Sequence, residues 1–288
     1  MLHEFLRPGV WPAKPVPDRF ASLIEHAEPS GCEIALVGLP DDTGVRLNNG
    51  RPGANEGPTA IRAALHRLGV REPHGWAWPR VYDAGDVEIV RDDLHQTHDR
   101  VTAAVKAVIE TGLIPIGLGG GHDLTFPFVR AVSERIGPMH GVSFDPHLDV
   151  RETDGSGMPF RRLLETDAAT AHTIHRFDPM VNSSEHTSWF LDHGGRIGGH
   201  HGFTDPAYVS FDLDVIDAAY APGVSALNPC GWTPNEAIAR VVAAGRDRAV
   251  RCFDVMELSP PNDDNDRTAR LAARLVLAFL RGFAERPE

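Results

Sequence analysis

The sequence contains little cysteine, and this scarcity excludes two classes of protein. Three cysteines occur among 288 residues, at Cys32, Cys230 and Cys252. Their number is odd, they are widely spaced, and none lies in a C-x-x-C pattern. This distribution does not fit a disulfide framework or a thiolate zinc site, so we expect all three side chains to serve in packing.

Long apolar segments and an excess of positive charge are also lacking. No run of 18 apolar residues is present, and the start has no charged segment followed by an apolar stretch. We therefore expect neither a membrane span nor a secretory signal, and predict a cytoplasmic protein. The net charge of -12 disfavours nucleic-acid binding, which requires a basic face. Small molecules are the expected partners.

Short apolar segments alternate with helical patterns after a proline-rich arm at 1–30, which is predicted to be irregular. Predicted strands occupy residues 33–40, 113–119, 139–144, 207–211 and 248–255, and predicted helices occupy 57–68, 95–111, 124–136, 233–244 and 267–283. Most of the strands are continuously apolar, as expected of strands buried on both faces. The alternation predicts one α/β domain over residues 1–288, with a mostly parallel sheet whose ligands lie at the carboxyl ends of its strands.

The helix near residue 233 has a clear start signal. Thr233 is followed by Pro234 and, three residues on, by Glu236. In this capping-box pattern the Thr side chain and the Glu side chain each accept a hydrogen bond from the other residue's backbone N–H. We therefore expect the helix to begin here.

Three polar clusters follow three of the predicted strands. They are GGGHD at 119–123, DPHLD at 145–149 and DLD at 212–214. A lone D-x-D is usually a turn or a solvated strand end, and GGGHD alone carries little information. Because all three clusters follow separate strands of one predicted sheet, where its ligands are expected, their joint occurrence favours a metal site.

The carboxylates of these clusters need a positive partner. Side chains alternate along extended backbone, so Asp145, His147 and Asp149 share one face, and Asp212 and Asp214 share another. Four carboxylates that converge in a low-dielectric pocket repel each other strongly. Two divalent cations would balance their charge.

The types of ligand present favour manganese. His122 and His147 would add neutral nitrogen ligands to the carboxylates, and no thiolate is available in these motifs. Such a set suits Mn²⁺ better than structural zinc, and is also compatible with Zn²⁺, Fe²⁺ and Co²⁺. A metal pair about 3.5 to 4 Å apart can supply a nucleophile at neutral pH for attack on carbon or phosphorus.

Four segments together resemble the ureohydrolase superfamily, which contains arginases, agmatinases and formimidoylglutamases. They are GGGHD, DPHLDVR, SFDLDVIDAAYAPG and FDVMELSP, and the resemblance runs from about Glu33 to the final predicted helix. It implies a three-layer αβα arginase-like fold with a mainly parallel sheet of about eight strands. It also implies two Mn²⁺ ions per chain and a homo-oligomer.

The resemblance assigns the metal ligands and a substrate carboxylate. One metal would be held by His122, Asp145, Asp149 and Asp212, and the other by Asp145, His147, Asp212 and Asp214. Asp145 and Asp212 would bridge the two metals, and Asp149 would also accept a hydrogen bond from the nucleophile. Glu257 matches the family carboxylate that binds the planar C–N group of the substrate, since a carboxylate can accept two parallel N–H bonds from an amidinium or guanidinium.

Three features agree with the formimidoylglutamase branch of the superfamily. Arginases and agmatinases carry a histidine where this chain has Ser156, in GSGMPF, whereas formimidoylglutamases resemble S-G-T-P-F there. The GGGH motif and the loop GVRLNNGRPGANEGP at 44–58 also resemble that branch. Met158 and Leu47 to Asn49 depart from its pattern, which puts the substrate in doubt more than the chemistry.

We therefore hypothesise hydrolysis of the formimino C–N bond of N-formimino-L-glutamate, which yields L-glutamate and formamide in histidine catabolism. Asp149 and Glu257 would be catalytic, and Glu257 would also bind substrate. Arg151 is expected either to pair with a substrate carboxylate or to form a surface ion pair. Ser156 would either bind substrate or only turn the chain, and Arg46 and Arg51 are weaker candidates for a carboxylate contact.

Other functions are compatible with the same motifs. An agmatinase-like enzyme or a guanidino-acid hydrolase would release urea. A non-catalytic binding relative is disfavoured because buried carboxylate clusters are costly without a metal. A deacetylase of related architecture matches the motifs less well.

Several further polar residues are expected to lie outside the metal cluster. Asp123 should either orient the neighbouring histidine ligand or cap the helix at 124. His200 and His201 should lie in a turn, and most of His172, His175, His186 and His193 should lie at the surface.

Overall fold

A computed structural model gives the fold of residues 3–12, 16–70, 77–199, 203 and 206–287. Among these residues the strands are β1 (Leu6–Arg7), β2 (Ile24–Glu25), β3 (Ile34–Gly38), β4 (Val81–Val87), β5 (Ile114–Leu118), β6 (Met139–Phe144), β7 (Ala169–His175), β8 (Gly195–Ile197), β9 (Ala207–Asp212) and β10 (Val250–Met256). The α-helices are α1 (Thr43–Leu47), α2 (Gly57–Arg67), α3 (Leu94–Glu110), α4 (Thr125–Ile136), α5 (Pro159–Glu165), α6 (Ser184–Asp192), α7 (Pro234–Arg246) and α8 (Arg267–Ala284).

Eight strands form a parallel sheet in the order β4-β3-β5-β10-β9-β6-β7-β8. The prediction of a mainly parallel sheet of about eight strands is thus confirmed. The two-residue strands β1 and β2 extend the sheet beyond β4, where β1 is antiparallel. They belong to the proline-rich arm, which is therefore less irregular than predicted because it pairs with the otherwise open edge of β4.

Helices cover both faces of the sheet and bury apolar side chains against it. One core contains Leu36 and Phe253 of the sheet with Ile61 of α2, Val241 of α7 and Leu275 of α8. The other contains Val37 of the sheet with Val101 of α3, Phe128 of α4, Phe160 of α5 and Phe190 of α6. Successive residues of β3 thus point to opposite faces, as pleated backbone requires. The predicted three-layer αβα arrangement is confirmed.

The predicted strands and helices all occur, with small shifts at their ends. The capping box at Thr233 and Glu236 is formed as predicted. The sequence patterns do not predict β4, β7 or the short helices α1, α5 and α6. In β4 this is because Asp83, Gly85 and Asp86 resemble a turn, although Asp83 is buried in the sheet.

The cysteines are not paired in the structure. Cys252 is buried, Cys32 is partly buried and Cys230 is exposed. The expectation that all three serve in packing is therefore wrong for Cys230, which lies in an exposed loop rather than against the core. Within the described parts of the chain, no helix is both long and apolar enough to cross a bilayer.

Candidate active site

The site lies at the carboxyl ends of the four central strands. His122 begins a short 3-10 turn after β5, Asp145 follows β6, Asp212 ends β9 and Glu257 follows β10. These strands are neighbours in the order β5-β10-β9-β6. Because parallel strands end at the same edge of a sheet, residues far apart in the sequence meet here.

The six predicted metal ligands form two overlapping groups. The first consists of His122, Asp145, Asp149 and Asp212, and the second of Asp145, His147 and Asp214. In the first group, His122 Nδ1 lies 2.9 Å from Asp149 Oδ2, 3.0 Å from Asp212 Oδ2 and 3.3 Å from Asp145 Oδ2. One nitrogen and three carboxylate oxygens therefore face a common point.

The second group shares Asp145 with the first. His147 Nδ1 lies 3.1 Å from Asp214 Oδ2 and 3.5 Å from Asp145 Oδ1. Asp145 thus presents one oxygen to each group, while its Oδ1 also accepts a hydrogen bond from the backbone N–H of His147 at 2.6 Å. Its bridging role stays a prediction. Asp212 presents Oδ2 to the first group, while its Oδ1 accepts a hydrogen bond from the backbone N–H of Asp214 at 2.8 Å. The bridging role of Asp212 therefore stays a prediction.

A hydrogen-bond chain behind His122 fixes the tautomer of its ring. Ser210 Oγ donates to Asp254 Oδ1 at 2.6 Å, so its oxygen is available to accept from His122 Nε2, 3.0 Å away. Thr125 Oγ1 donates to the other oxygen of Asp254 at 3.0 Å. With the proton on Nε2, the Nδ1 lone pair faces the carboxylates, as a metal ligand must.

Four buried polar atoms of the cluster make no hydrogen bond within the described protein. His122 Nδ1, Asp145 Oδ2, Asp214 Oδ1 and Glu257 Oε2 are buried and make no hydrogen bond. Buried acceptors without partners are rare and costly, so several in one place require an explanation. A pair of divalent cations would satisfy the histidine nitrogen and aspartate oxygens, and the donor set of nitrogen and oxygen without thiolate fits Mn²⁺.

The electrostatics of the cluster also favour added positive charge. Burial raises the pKa of Asp145 to about 7, and repulsion from Asp149 contributes. Burial, followed by repulsion from Asp212, raises the pKa of Asp214 well above its usual range. Burial opposes protonation of His147, but the attraction of Asp214 and Asp145 and the hydrogen bonds to both carboxylates together outweigh burial and raise the pKa of His147 to about 12. The cluster thus binds protons strongly, because its negative charge is not balanced within the chain.

Two side chains of the site project from left-handed backbone. Asp149 has a φ of 48° and Glu257 a φ of 68°. Non-glycine residues adopt this conformation at a cost, and such residues concentrate at functional sites. At Glu257 the carboxylate is held by the backbone N–H of His122, which donates to Oε1 at 2.8 Å. Its other oxygen, Oε2, is left free of protein partners.

A cavity of about 290 Å³ opens above the cluster, and Arg151 and Ser156, the two further predicted substrate contacts, are among the residues that line it. The Arg151 guanidinium donates to Asn48 Oδ1, and Asn48 Nδ2 donates to Ser156 Oγ at 3.3 Å. Asn48 also lines the cavity, and the sequence patterns do not identify it as a functional residue. It follows the short helix α1, which the sequence patterns also miss.

The two weaker arginine candidates do not line this cavity. Arg46 pairs with Asp92 at 2.9 Å. Arg51 donates to the backbone carbonyl of Ser225 at 3.2 Å and also to that of Val224. Both guanidinium groups therefore fix loops, and Arg151 is the arginine that the cavity offers among the described residues.

Ser210 and Asp254 support the site and are not identified from the sequence. A signal is nevertheless present, because each is a polar residue within an apolar strand. They lie opposite each other in neighbouring strands β9 and β10, and both are buried. Polar residues at matching positions of adjacent buried strands indicate a hydrogen-bonded pair.

Two predictions about neighbouring polar residues are wrong. Asp123 neither contacts His122 through its side chain nor caps the helix, since its Oδ2 lies 2.9 Å from Nε2 of the buried His98 on α3. His172 is fully buried rather than exposed, because β7 is an internal strand, and it hydrogen-bonds Ser143 and Tyr208 at 2.8 Å. His193 is exposed as predicted, His175 and His186 are half-buried, and His200 and His201 lie outside the described residues.

The fold and the site define a class of protein. A three-layer αβα domain with two overlapping histidine–carboxylate groups at the carboxyl edge of its parallel sheet is a metal-dependent enzyme of the hydrolase type. The arginase family model matches residues 32–181 and 195–281. The chain belongs to the arginase family.

Individual relatives are similar over most of the chain. Formimidoylglutamase of Rhodococcus opacus (strain B4) is 34% identical over 289 residues, with 88% of this chain and 86% of that protein covered. The mitochondrial guanidino acid hydrolase of Homo sapiens is 31% identical over 286 residues, with 88% of this chain and 79% of that protein covered. The crystal structure of Trypanosoma cruzi formiminoglutamase with Mn²⁺ has a TM-score of 0.85 at 30% identity, covering 93% of this chain and 99% of that chain.

Proposed function

We propose that this protein hydrolyses N-formimino-L-glutamate to L-glutamate and formamide, with two Mn²⁺ ions as cofactor. The observation that carries the proposal is Arg151, a cation in a cavity that is also lined by five of the six predicted metal ligands and by Glu257. A substrate with an amidine at one end and a carboxylate at the other fits that arrangement. The similarity to formimidoylglutamases of Rhodococcus opacus and Trypanosoma cruzi supports the same substrate and metal.

The metal ligands of the proposal are His122, Asp145, His147, Asp149, Asp212 and Asp214. When bound, the two ions would activate a water molecule as nucleophile and act as Lewis acids. Asp149 is the carboxylate of this set that is most open to the cavity, with 13% of its side chain exposed. It would accept a hydrogen bond from the attacking water and so hold it in position.

Glu257 would orient the amidine of the substrate. Its Oε1 is fixed by the His122 backbone N–H, while Oε2 has no protein partner. A free carboxylate oxygen at this place can accept N–H bonds from a planar amidinium and hold the carbon toward the nucleophile. The C–N bond to the glutamate nitrogen then breaks, the water oxygen stays on the carbon as formamide, and a proton passes to the departing amine.

Arg151 would bind a carboxylate of the substrate, and Ser156 would contribute a hydroxyl beside it. Among the described residues no Asp or Glu side chain forms an ion pair with Arg151, so its charge is not neutralised by the protein. A guanidinium can bind a carboxylate through two parallel hydrogen bonds, which fixes both position and orientation.

A guanidino acid is the second candidate substrate. The similarity to the human guanidino acid hydrolase favours it, and a guanidino acid presents the same two ends to the cavity. Because Glu257 can accept from an amidinium or a guanidinium alike, the residues described above support both reactions.

We propose further that the protein is a cytoplasmic homo-oligomer. The three unpaired cysteines agree with a reducing compartment. Large apolar residues at Met180, Val181 and Leu191 are exposed and could be covered by another copy. A purely monomeric mass in native mass spectrometry would contradict the oligomer, and signal in a membrane or secreted fraction would contradict the location.

The substrate is tested with a panel on protein loaded with Mn²⁺. Formiminoglutamate, agmatine, arginine and guanidino acids are supplied separately, and formamide and urea are measured. We expect formamide from formiminoglutamate with the highest kcat/KM, and no turnover after chelation. Urea from a guanidino acid at a higher kcat/KM would replace our first assignment with the second.

A further inference from the structure

We infer that Asn48 is a positioning residue for substrate specificity, which holds the Arg151 guanidinium in the orientation that binds a substrate carboxylate. The inference rests on the proposed function, because it assigns Arg151 to that carboxylate. It concerns a residue on a different segment of the chain, 103 positions before Arg151.

The contacts of Asn48 determine which atom of its amide faces Arg151. A guanidinium carries only donors, so the atom that meets it must be the amide oxygen. Asn48 Nδ2 then points to Ser156 Oγ, 3.3 Å away, where it can donate. Both ends of the amide are thus engaged, and each partner is a residue that lines the cavity.

Asn48 is itself fixed by the backbone of α1. It is the residue that ends this helix, and its backbone N–H donates to the carbonyl of Gly44 at 3.0 Å. The same carbonyl accepts from the backbone N–H of Ser156 at 2.9 Å. The end of α1 and the segment that carries Ser156 are therefore joined by both backbone and side-chain hydrogen bonds.

The stem of Arg151 packs against Gly157. The Arg151 backbone N–H donates to the Gly157 carbonyl at 2.8 Å, and a Cβ at Gly157 would lie 2.9 Å from Arg151 Cδ. The arginine thus passes directly over a residue without a side chain. With its stem packed on Gly157 and one N–H bound by Asn48, the guanidinium has a defined direction.

A neutral partner is the feature that makes this arrangement suitable for binding an acid. Asn48 accepts one of the five N–H groups of Arg151 and carries no charge, so the positive charge remains available to a ligand. An aspartate at the same place would form an ion pair with Arg151 and compete with the substrate. The amide therefore orients the guanidinium without neutralising it.

The test is a double-mutant cycle on the KM of the Mn²⁺-loaded protein for formiminoglutamate, using Asn48→Ala, Arg151→Ala and the double variant. We expect Asn48→Ala to raise KM on the order of tenfold with little change in kcat, because a lost hydrogen bond to a charged group weakens binding by about that factor. In the Arg151→Ala background, Asn48→Ala should have no further effect. Asn48→Asp should raise KM more than Asn48→Ala, and calorimetric binding of L-glutamate should weaken in the same order.

A matched control distinguishes a specific effect on the orientation of Arg151 from a general loosening of the loop that follows α1. Asn262 donates to the carbonyl of Pro52 at 3.1 Å and accepts from Arg51, so it anchors the same loop without contacting Arg151 or lining the cavity. Asn262→Ala should leave the KM unchanged. An equal rise in KM for Asn262→Ala would overturn the inference, as would an Asn48→Ala effect that persists fully without Arg151, or no effect of Asn48→Ala.

The experiments distinguish a wrong substrate assignment from a wrong role for Asn48. If the unmodified protein forms urea from a guanidino acid and no formamide, the proposed substrate is wrong, and the same cycle on the KM for the guanidino acid decides the role of Asn48. If no carboxylate-bearing compound is hydrolysed or bound, both are overturned.

Discussion

Two groups of buried carboxylates in this protein are balanced in different ways. Asp83 and Asp86 of β4 face Arg62 of α2, which is fully buried and bonds both oxygens of Asp83 at 2.8 and 3.1 Å. Burial opposes ionisation of Asp83, but the charge of Arg62 together with hydrogen bonds from Arg62, Trp11 and the Gly85 backbone outweighs burial and lowers the pKa of Asp83. Asp145 has no such partner, and burial raises its pKa to about 7.

The difference distinguishes carboxylates that are paired within the fold from carboxylates that are left able to bind an ion. At β4 the cation is part of the chain, so Asp83 is paired as soon as the helix packs on the sheet, whereas burial still raises the pKa of Asp86 despite the charge of Arg62. At the metal cluster, no lysine or arginine forms an ion pair with the carboxylates among the described residues, and buried acceptors are left without hydrogen-bond partners. A cluster that the fold leaves unbalanced requires an ion from solution.

The largest effect is expected when a carboxylate of the unbalanced cluster is neutralised. Asp212→Asn should lower kcat on the order of a thousandfold and reduce the bound Mn²⁺, because a ligand at the centre of the cluster is lost. The metal-free variant should unfold at a temperature no lower than the unmodified metal-free protein, since one repelling charge has been removed. Activity assays, metal analysis and thermal unfolding measure the three quantities.

The control for this variant is Asp217→Asn, the same change on the loop that follows. Asp217 Oδ1 accepts only from the backbone N–H of Ala219 and lies outside both metal groups. Its activity and metal content should be unchanged. Full activity of Asp212→Asn with two bound ions would show that Asp212 is not a ligand.

A smaller but still large effect is expected at the balanced cluster. Arg62→Met should lower the free energy of unfolding by about 3–5 kcal/mol, because Asp83 is left buried without its partner. The loss should be the same with and without Mn²⁺, as measured by urea denaturation. The exposed Arg67 of the same helix provides the control, since Arg67→Met should cost less than about 1 kcal/mol. A loss that depends on Mn²⁺ would contradict the separation of the two clusters.

The smallest effect concerns Asp41, a buried carboxylate with neither an arginine nor a place among the metal groups. Burial, followed by repulsion from Asp123, raises the pKa of Asp41 to about 6. The protonated side chain therefore stabilises the fold below about pH 4, and this stability is lost as the pH rises through about 6. Asp41→Asn keeps an oxygen for the hydrogen bond from Thr43 and removes the charge.

We expect metal-free Asp41→Asn to be as stable as the unmodified protein near pH 4 and more stable above pH 6, by about 1–3 kcal/mol. Urea denaturation at a series of pH values measures this difference. Parallel stability profiles for the two proteins would show that Asp41 has a partner in the fold.

The six residues of the two histidine–carboxylate groups could be found from the sequence because each lies in a short motif directly after an apolar strand. The contacts that hold these residues and the cavity lining in place could not be predicted from the sequence. The pair of Asn48 and Arg151 joins residues 103 positions apart, and the pair of Ser210 and Asp254 joins residues 44 apart. Such pairs depend on which strands are neighbours, and the order of strands along the sheet differs from their order in the chain.

The same reason explains why β4 could not be recognised. Its Asp83, Gly85 and Asp86 are typical of a turn when considered locally. The buried Asp83 of this strand is bound by two residues from distant segments of the chain, Arg62 and Trp11. The sequence thus predicts elements that are stabilised by residues close to them in the chain. Elements that depend on a partner far away in the sequence are recognised only in the three-dimensional structure.

The position of β10 in the sheet has a consequence for how the site comes into existence. This last strand lies between β5 and β9, so without it the strands that carry His122 and Asp212 belong to two separate half-sheets. A ribosome must therefore release residues 250–256 before the halves can join along hydrogen-bonded strands. Capture of ions by residues from both halves would then follow the synthesis of β10, so it would not guide the earlier steps of folding.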